Sequence, residues 1–548
     1  MKKLFLVCFL FVYQMHFGQA LSLQIISEDT TEQAVIDSLG YQTKHGDVKR
    51  ILDEVQKLTE VLVQKGYLEN ELLDSNKISD SLYQFKLKLG FRTKAVHIYV
   101  GGASKYLAFE KDTIVLPIDK TELFLQQQLN ALELKGFSFA TLKLVDFKKQ
   151  DNALFAQLKV ATNTIRTLDA IVINGYDNFP VAHKKNMQRL FSKKTFNKNA
   201  LSTLYKEFNK FRFVNQTRYP EILFSEDSTK VYVYLEKAKS NKFDGYIGFA
   251  NDENSKLTFT GYLDLALTNI LNAGEEFNLY WKSDDNKQVT FNAGIEIPYI
   301  FKTPLGVRAN LNIFRQDSTF QNTKTALDLG YYFTYNKKLF LGYQSTESSD
   351  IQNTNTALIN DFESRFLTST FEYKNYIDDP LFPEKTKFIL KSGIGQRDSK
   401  LEISKQTFLD LNISHNLYLN KNNSIHLRTQ SFYLQSTSYI TSELYRFGGI
   451  QSIRGFNENS LQANSYVSLL TEYRFTVAPN LYLHSVLDYG YYQDQTTGTK
   501  NNLLGLGFGL GILSKNGILN LIYANGSTND QAIQLANSII HIKFITKF

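Results

Sequence analysis

Histidine, the side chain most often used for acid–base and metal chemistry, occurs eight times in the sequence, and each occurrence stands alone. No two histidines have the His-x-x-x-His spacing that places two ligands on one helix face, and neither a Gly-x-Ser-x-Gly segment nor a phosphate-binding loop is present. The sequence therefore predicts no catalytic residue, no metal site and no cofactor, and we expect that the protein is not an enzyme. Every histidine is expected at the surface or along an aqueous interior, and His484, near Asp488, is interpreted as a bystander. The positions are His16, His45, His97, His183, His415, His426, His484 and His541.

The only cysteine, Cys8, lies in an apolar run from residue 4 to residue 12 that follows two lysines. A basic start, an apolar run and then small residues are typical of an export signal, and Gly18-Gln19-Ala20 predicts cleavage after Ala20. We interpret residues 1–20 as a signal peptide. Cys8 would be removed with it, so neither a disulfide nor a lipid anchor is expected in the exported chain.

The composition excludes a helical membrane protein but favours a membrane barrel. Mean hydropathy is −0.27, and no stretch after the first twenty residues is long and apolar enough for a spanning helix. The chain has 42 Phe and 32 Tyr against a single Trp, a bias that suits lipid-facing and interfacial positions of outer-membrane barrels. The net charge of +7 includes a basic cluster that we interpret as the solvated face of helices, so no nucleic-acid partner is expected. The cluster contains Lys184, Lys185, Arg189, Lys193, Lys194 and Lys198.

The predicted secondary structure changes near residue 240, from mixed helices and strands to strands alone. Before it, a unit of strand, helix and two further strands recurs three times, in residues 21–91, 92–163 and 164–239. Each unit is expected to place helices on a three-stranded sheet. The first unit has predicted strands at 21–26, 68–73 and 82–89; the second has strands at 96–100, 141–147 and 154–160 and a helix at 120–134. The third has strands at 168–175 and up to residue 235, with two helices between them.

Two of these helices are predicted to stop at the same motif. Residues 48–62 have apolar side chains at helical spacing and are followed by Lys65-Gly66-Tyr67; the helix of the second unit is followed by Lys135-Gly136-Phe137. Glycine at that position suits a left-handed residue after a helix C-terminus.

Residues 240–548 alternate between apolar and polar side chains instead. In residues 307–313 every second residue is apolar and the intervening ones are polar, and residues 409–419 alternate in the same way except at His415, which is typical of strands with one apolar face. A soluble sandwich would show the same alternation. The length favours an all-β barrel of about 16 antiparallel strands, with about 19 residues for each strand and its connection. In the terminal strand Phe544 and Phe548 are expected to face outward and to form the barrel's C-terminal assembly signal, at the seam with the first strand.

The segment Ile453-Arg454-Gly455-Phe456 resembles the inward-folded sixth loop of the BamA/TamA/FhaC superfamily. It follows eleven predicted strands and precedes Glu472-Tyr473-Arg474, which is typical of the next strand in that family. Residues 486–490 resemble the family's Phe-x-Asp-x-Gly motif, with valine in the first position and with Asp488 and Gly490 in the others. The resemblance implies that Arg454 pairs with Asp488 in the barrel wall, where Glu472 and Gly490 also lie. A guanidinium enclosed in a barrel needs such a carboxylate because its desolvation is otherwise very unfavourable.

Two further segments are similar to the same family. Residues 269–275 resemble an early barrel hairpin. Gly505, Gly507, Gly509 and Gly511 alternate along one strand, which leaves one of its faces without side chains and makes room for a loop.

The resemblance implies an outer-membrane protein with three periplasmic POTRA domains, as in TamA-like insertion and translocation factors. Its expected partners are unfolded outer-membrane or secreted protein clients, the lipid bilayer, and a periplasmic or inner-membrane protein docked on the POTRA domains. A weak seam is expected between residues 243–249 and 539–548. A two-partner-secretion transporter pore and a passive channel or receptor stay open as alternatives, as does a purely structural role for the Arg454–Asp488 pair.

Overall fold

The computed structural model describes residues 20–251, 257–283, 288–356, 358–515 and 517–548. Residues 1–19 of the predicted signal peptide, with Cys8, lie outside the described residues. No helix in the described ranges is long and apolar enough to cross a membrane. The chain forms two compact units, one extending to Thr167 and including Thr195–Ala200, the other made of Leu168–Lys194 and Leu201–Phe548.

The first unit contains two α/β domains. The first domain consists of β1 (Leu21–Ile26), α1 (Thr30–Leu39), β2 (Lys44–His45), α2 (Val48–Gln64), β3 (Glu71–Lys77) and β4 (Leu82–Lys88), in the sheet order β2-β1-β4-β3. The second consists of β5 (Ala95–Tyr99), β6 (Thr113–Pro117), α3 (Thr121–Leu134), β7 (Thr141–Gln150) and β8 (Ala153–Ala161), in the order β6-β5-β8-β7. Short 3-10 helices lie at Gly101–Lys105 and Ile118–Lys120.

Both sheets have four strands, so the prediction of three strands is wrong for these two domains. The additional strands, β2 and β6, have two and five residues and were not predicted from the sequence; β2 is too short to show an alternation. The strand predicted at 68–73 begins only at Glu71, because Asn70 donates its side-chain amide to the carbonyl of Tyr67 and closes a turn there. Helix α1, which was not predicted, begins after Asp29, whose carboxylate accepts from the backbone N–H of Thr31.

Helices α2 and α3 both end at the predicted glycine. Gly66 and Gly136 have φ of 100° and 93°. The N–H of Tyr67 donates to the carbonyl of Leu62 at 3.0 Å, and Phe137 makes the equivalent bond in the second domain. This arrangement satisfies carbonyls that the end of a helix would leave unpaired, and it requires a residue that adopts positive φ without strain.

The second unit begins with a third α/β domain, which leads directly into the barrel. It contains β9 (Ala170–Asn174), α4 (Val181–Phe191), α5 (Lys198–Phe208), β10 (Val214–Phe224) and β11 (Thr229–Lys237), in the sheet order β10-β11-β9. Strand β11 is parallel to β9 and antiparallel to β10. Four residues separate the end of β11 at Lys237 from the start of the barrel at Lys242, so the connection is short.

The remaining strands form a closed antiparallel barrel, which confirms the predicted fold class with sixteen strands. The loop that contains Arg454 follows the eleventh barrel strand, as expected. The strands are β12 (Lys242–Asn251), β13 (Leu257–Thr268), β14 (Glu276–Ser283), β15 (Val289–Ile297), β16 (Leu305–Gln316), β17 (Phe320–Thr334), β18 (Lys337–Asp350), β19 (Phe362–Tyr376), β20 (Glu384–Ser399), β21 (Ile403–Tyr418), β22 (Asn423–Gln435), the loop strands β23 (Tyr445–Phe447) and β24 (Leu461–Ala463), then β25 (Ser465–Ala478), β26 (Leu481–Asp494), β27 (Thr499–Ser514), β28 (Gly517–Thr528) and β29 (Ile539–Lys547). Short 3-10 helices lie at Ile300–Lys302, Thr441–Glu443 and Leu535–Asn537.

The barrel is apolar outside and polar inside. Leu341, Leu367 and Ile394 point outward and are more than 60% exposed, whereas inward residues such as Thr368 and Glu372 are buried. A soluble sandwich would bury its apolar face, so this arrangement excludes that alternative and leaves the apolar band to lipid. The terminal strand follows the same rule, since Ile540, Ile542, Phe544 and Phe548 are all exposed.

Candidate functional site: a loop bound inside the barrel

The connection between β22 and β25 folds into the barrel and contacts the wall at several places. Near its start, the backbone carbonyl of Ser442 accepts from the side-chain amide of Asn322, and Glu443 forms an ion pair with the buried Arg397. The loop then forms the β23–β24 hairpin, and Arg446 lies over the rings of Phe314 and Phe320. These contacts reach β17, β20 and β16, so the loop occupies the barrel interior.

Arg454 lies at the centre of a buried charge cluster. Its Nε donates to Oδ2 of Asp488 at 2.8 Å and its Nη2 donates to Oδ1 at 2.5 Å, while its backbone N–H donates to Oδ2 at 3.0 Å. Nη1 donates to Glu472, which also accepts from Arg474. The side chains of Arg454 and Asp488 are 5% and 0% exposed. A two-pronged guanidinium–carboxylate contact is strong and directional, and here it joins the loop to β25 and β26.

Glycines let the loop backbone lie against the wall. A Cβ at Gly505 would stand 2.4 Å from the carbonyl oxygen of Arg454, and a Cβ at Gly526 would stand 2.5 Å from that of Gly455. Gly455 itself has φ of 87°, and its Cβ would meet the backbone of Asn525 at 2.5 Å. The alternating glycines of β27 therefore make room for the loop, as the sequence predicted.

The other two residues of the loop motif pack beside Arg454. Ile453 is fully buried, and its Cδ1 would lie 3.1 Å from a Cβ at Gly490. The ring of Phe456 lies 2.8 Å from the Cβ position of Gly526. All the residues selected from the sequence at this site, including Glu472 and Gly490, are thus brought together at one side of the barrel.

After the motif, the loop also contacts β14, which lies on the other side of the junction between the first and last barrel strands, β12 and β29. Glu458 accepts from the hydroxyl of Tyr280 at 3.1 Å and forms an ion pair with Lys282, and both partners lie on β14. None of these residues was predicted from the sequence. A single glutamate and a single lysine separated by 176 residues give no local signal of their contact.

His484 lies near the cluster without bonding strongly to it. Its Nδ1 is 4.0 Å from a carboxylate oxygen of Glu472 and 3.2 Å from the backbone carbonyl oxygen of Ser485, to which it donates when it carries the proton. Among the described residues, no group of three or more His, Cys, Asp or Glu side chains is placed to hold a metal ion.

His183 contradicts the expectation that every histidine lies at the surface or in the lumen; His45, in the first domain, is buried as well. His183 projects from α4 and is completely buried between the third domain and the barrel, with ring centroids 5.3 Å from Phe211 and 4.8 Å from Tyr299. A Cβ at Gly274, in the turn after β13, would stand 1.9 Å from its ring. Burial, with a smaller effect from Lys338, lowers the pKa of His183 to about 3, so its ring is neutral at pH 7.

The same junction includes the turn predicted from residues 269–275. Asn269 donates its side-chain amide to the hydroxyl of Tyr176 at 2.8 Å and accepts from the N–H of Gly274 at 2.8 Å. Glu275 closes the turn by accepting from the N–H of Leu271 at 2.6 Å. The turn is therefore a docking point for the third α/β domain.

The seam between the first and last barrel strands is short. Strands β12 and β29 share two registered residue pairs, Lys242 with Lys547 and Phe243 with Thr546, whereas β28 and β29 share eight. The expected pairing of residues 243–249 with 539–548 is therefore wrong in extent, because the two strands meet only near the start of β12. Side-chain contacts between described residues also span the closure: Lys543 of β29 lies 3.6 Å from Asp264 of β13, and the Asp244 carboxylate of β12 accepts from the backbone N–H of Phe544.

A closed sixteen-stranded barrel with an apolar outer surface, three preceding α/β domains that resemble POTRA repeats and an arginine-anchored internal loop define an outer-membrane protein of the BamA/TamA type. Residues 269–537 match the Omp85 superfamily domain, and the chain belongs to that superfamily.

Two solved structures of CdiB share this fold at low sequence identity. CdiB from Escherichia coli is 14% identical, with a TM-score of 0.52 over 92% of this chain and 99% of that chain. CdiB from Acinetobacter baumannii is 13% identical, with a TM-score of 0.51 over 95% and 99% of the two chains. BamA from Haemophilus ducreyi lacking POTRA domains 1–3 is 15% identical, with a TM-score of 0.47 over 80% and 96%. No curated protein matches the sequence.

Proposed function

We propose that the protein inserts unfolded protein clients into the outer membrane, or translocates them across it, through the seam between β12 and β29. The observation that carries this proposal is the pairing of these strands over two residue pairs, against eight between β28 and β29. Backbone groups without a strand partner are a template for another strand, and they are especially unfavourable in lipid. A client strand could therefore pair with the free edge of β12 at little cost in existing hydrogen bonds.

The α/β domains would receive clients in the periplasm before they reach the seam. Strand β3 is an edge strand whose residues are all exposed, and β7 and β10 are edges of the other two sheets. An extended client segment can add to such an edge through backbone hydrogen bonds, whatever its sequence. Three domains of this kind favour a TamA-like factor, and they also offer a docking surface to a periplasmic or inner-membrane partner.

The loop motif would keep the barrel in the state that receives clients. In this proposal Ile453, Arg454, Gly455 and Phe456 hold the loop against Glu472, Asp488 and Gly490. The buried charge pair supports this role, because an arginine without its carboxylate would not stay in that position. Phe544 and Phe548, exposed on the lipid side, would serve as the residues recognised when the barrel itself is assembled.

A second candidate is a two-partner-secretion-type pore, in which the client passes through the lumen. The favouring observation is a cavity of about 430 Å³ lined by residues of the barrel strands, among them the polar Glu276, Asn310 and Lys374. A chain could use this route if the loop withdrew. A passive channel is less well supported, because the loop occupies the interior.

A reversible seam lock tests the proposal. Phe243→Cys with Thr546→Cys places two thiols at directly opposed positions of β12 and β29, where the strand spacing allows a disulfide. The sequence has no other cysteine after Cys8. In liposomes, oxidation should abolish insertion of a urea-unfolded barrel client by the full chain, and reduction should restore it.

The matched control is Leu279→Cys with Ala293→Cys, which locks β14 to β15, two strands already joined by eight residue pairs. Oxidation of the control should leave insertion unchanged. If the locked seam still inserts the barrel client at the normal rate, the insertion proposal is wrong. If it blocks insertion of that client yet still passes a secreted client, the lumen is the route for secretion.

A further inference from the structure

The internal loop is attached to the barrel on both sides of the seam. On one side, Arg454 is bound to Asp488 of β26, and Gly455 lies against the backbone of β28 at Asn525. On the other side, Glu458 is bound to Tyr280 and Lys282 of β14. Only two residues, Phe456 and Asn457, separate Gly455 from Glu458.

The path between these attachments crosses the luminal face of the seam. Around the barrel, the strands from β28 to β14 are β29, β12 and β13, and the seam lies between the first two of them. In the opposite direction β14 and β28 are separated by the eleven other strands of the barrel. The three Cα–Cα steps from Gly455 to Glu458 span at most about 11 Å of extended chain, so residues 455–458 can join the two sides only by the short route.

The two attachments differ in their exposure to water. The side chains of Arg454 and Asp488 are 5% and 0% exposed, whereas those of Lys282 and Glu458 are 29% and 28% exposed. A buried pair is hard to separate because each partner would be left without compensation, while partly exposed ions can return to water. The contact at Glu458 is therefore the one that yields first when the barrel is pulled open.

We infer that residues 455–458 form a strap across the lateral seam, fixed at Arg454 and released at Glu458, and that its release sets how far β12 and β29 separate. Backbone pairing alone is too short to hold the closure, since it covers two residue pairs. The strap supplies a further connection, between strands that flank the seam rather than form it. Its use in client insertion rests on the proposed function, but its effect on seam width does not.

The distance across the seam can be measured directly with spin labels. Leu263→Cys on β13 and Ile542→Cys on β29 place the labels on outward positions either side of the closure, in the full chain in liposomes. We expect one short distance in the otherwise unchanged protein. Glu458→Gln should add a longer distance, with an open population raised about two- to fivefold, the range expected when a partly exposed ion pair is lost. Lys282→Gln should act in the same way from the opposite partner.

Two controls separate the strap from a general loosening of the barrel. Glu363→Gln removes an exposed glutamate that pairs with Arg365 on the same strand, away from the seam, and should leave the distances unchanged. Exchanging the charges, with Glu458→Lys and Lys282→Glu together, should restore the short distance. Unchanged distances in both Glu458→Gln and Lys282→Gln, or a charge exchange that does not restore closure, would overturn the strap.

Insertion of the unfolded barrel client, measured on the same samples, keeps this inference apart from the proposed function. Wider distances between the labels together with faster insertion support both the strap and insertion through the seam. Wider distances with unchanged insertion support the strap and contradict insertion through the seam. Unchanged distances, in a protein whose insertion is still blocked by the seam disulfide, overturn the strap and leave the proposed function standing.

Discussion

Replacing Arg454 by methionine tests how the loop is held. The change keeps the apolar stem but removes the guanidinium from Asp488, which is fully buried. Among the described residues, the hydrogen bonds to the Asp488 carboxylate all come from Arg454, whereas Glu472 keeps its contact with Arg474. The unpaired charge is therefore that of Asp488, and leaving one partner of a buried pair alone costs about 3–5 kcal/mol.

Because that cost applies to the docked loop, the loop should leave its site before the barrel unfolds. A spin label at the exposed Ser460 should become mobile in Arg454→Met, while the heat-modifiable band of the folded barrel persists on gels. Adding Asp488→Asn should restore more than half of the immobile population, since it removes the uncompensated charge.

The matched control is Arg365→Met, which breaks an exposed arginine–glutamate pair on β19. Such pairs contribute little to stability, so the control should leave the label at Ser460 immobile. The reasoning would be refuted by an immobile label in Arg454→Met, or by a double variant no better docked than the single one. If the barrel unfolded together with the loop, the pair would be a structural element of the wall and not a lock on the loop.

The remaining predictions concern the wall glycines and the domain junction. Gly505→Ala should expel the loop and mobilise the Ser460 label, because its Cβ would stand 2.4 Å from the carbonyl oxygen of Arg454, whereas Gly102→Ala, with no atom within 4 Å of its Cβ, should not. Acid should destabilise the junction at His183. The pKa of His183 is about 3 in the folded protein and about 6.5 in the unfolded chain, so between these pH values only the unfolded chain binds the proton. The free energy of unfolding therefore falls as the pH drops below about 6.5. Between pH 7 and about pH 5 the loss should be about 2 kcal/mol in denaturant unfolding of the third domain, and a His183→Leu variant that kept the same pH dependence would contradict this assignment.

Much of the fold follows from local patterns in the sequence. The two-residue alternation decides which side of a barrel strand faces lipid, because successive side chains point to opposite faces whatever the rest of the chain does. The glycine after α2 and α3 ends each helix through its own backbone freedom, and that effect too is local. The loop motif and its partners were identified through family resemblance, and Arg454 and Asp488 do meet in the structure.

Other features depend on barrel closure, which no short segment encodes. The seam extends over two residue pairs because the relative positions of β12 and β29 are set by the whole ring of strands between them. His183 lies on the same helix face as Met187 and Phe191, but it is completely buried only because the domain before the barrel and the turn at Tyr299 approach one another. The contact between Glu458 and Lys282 joins residues 176 positions apart, so only the closed barrel brings them together.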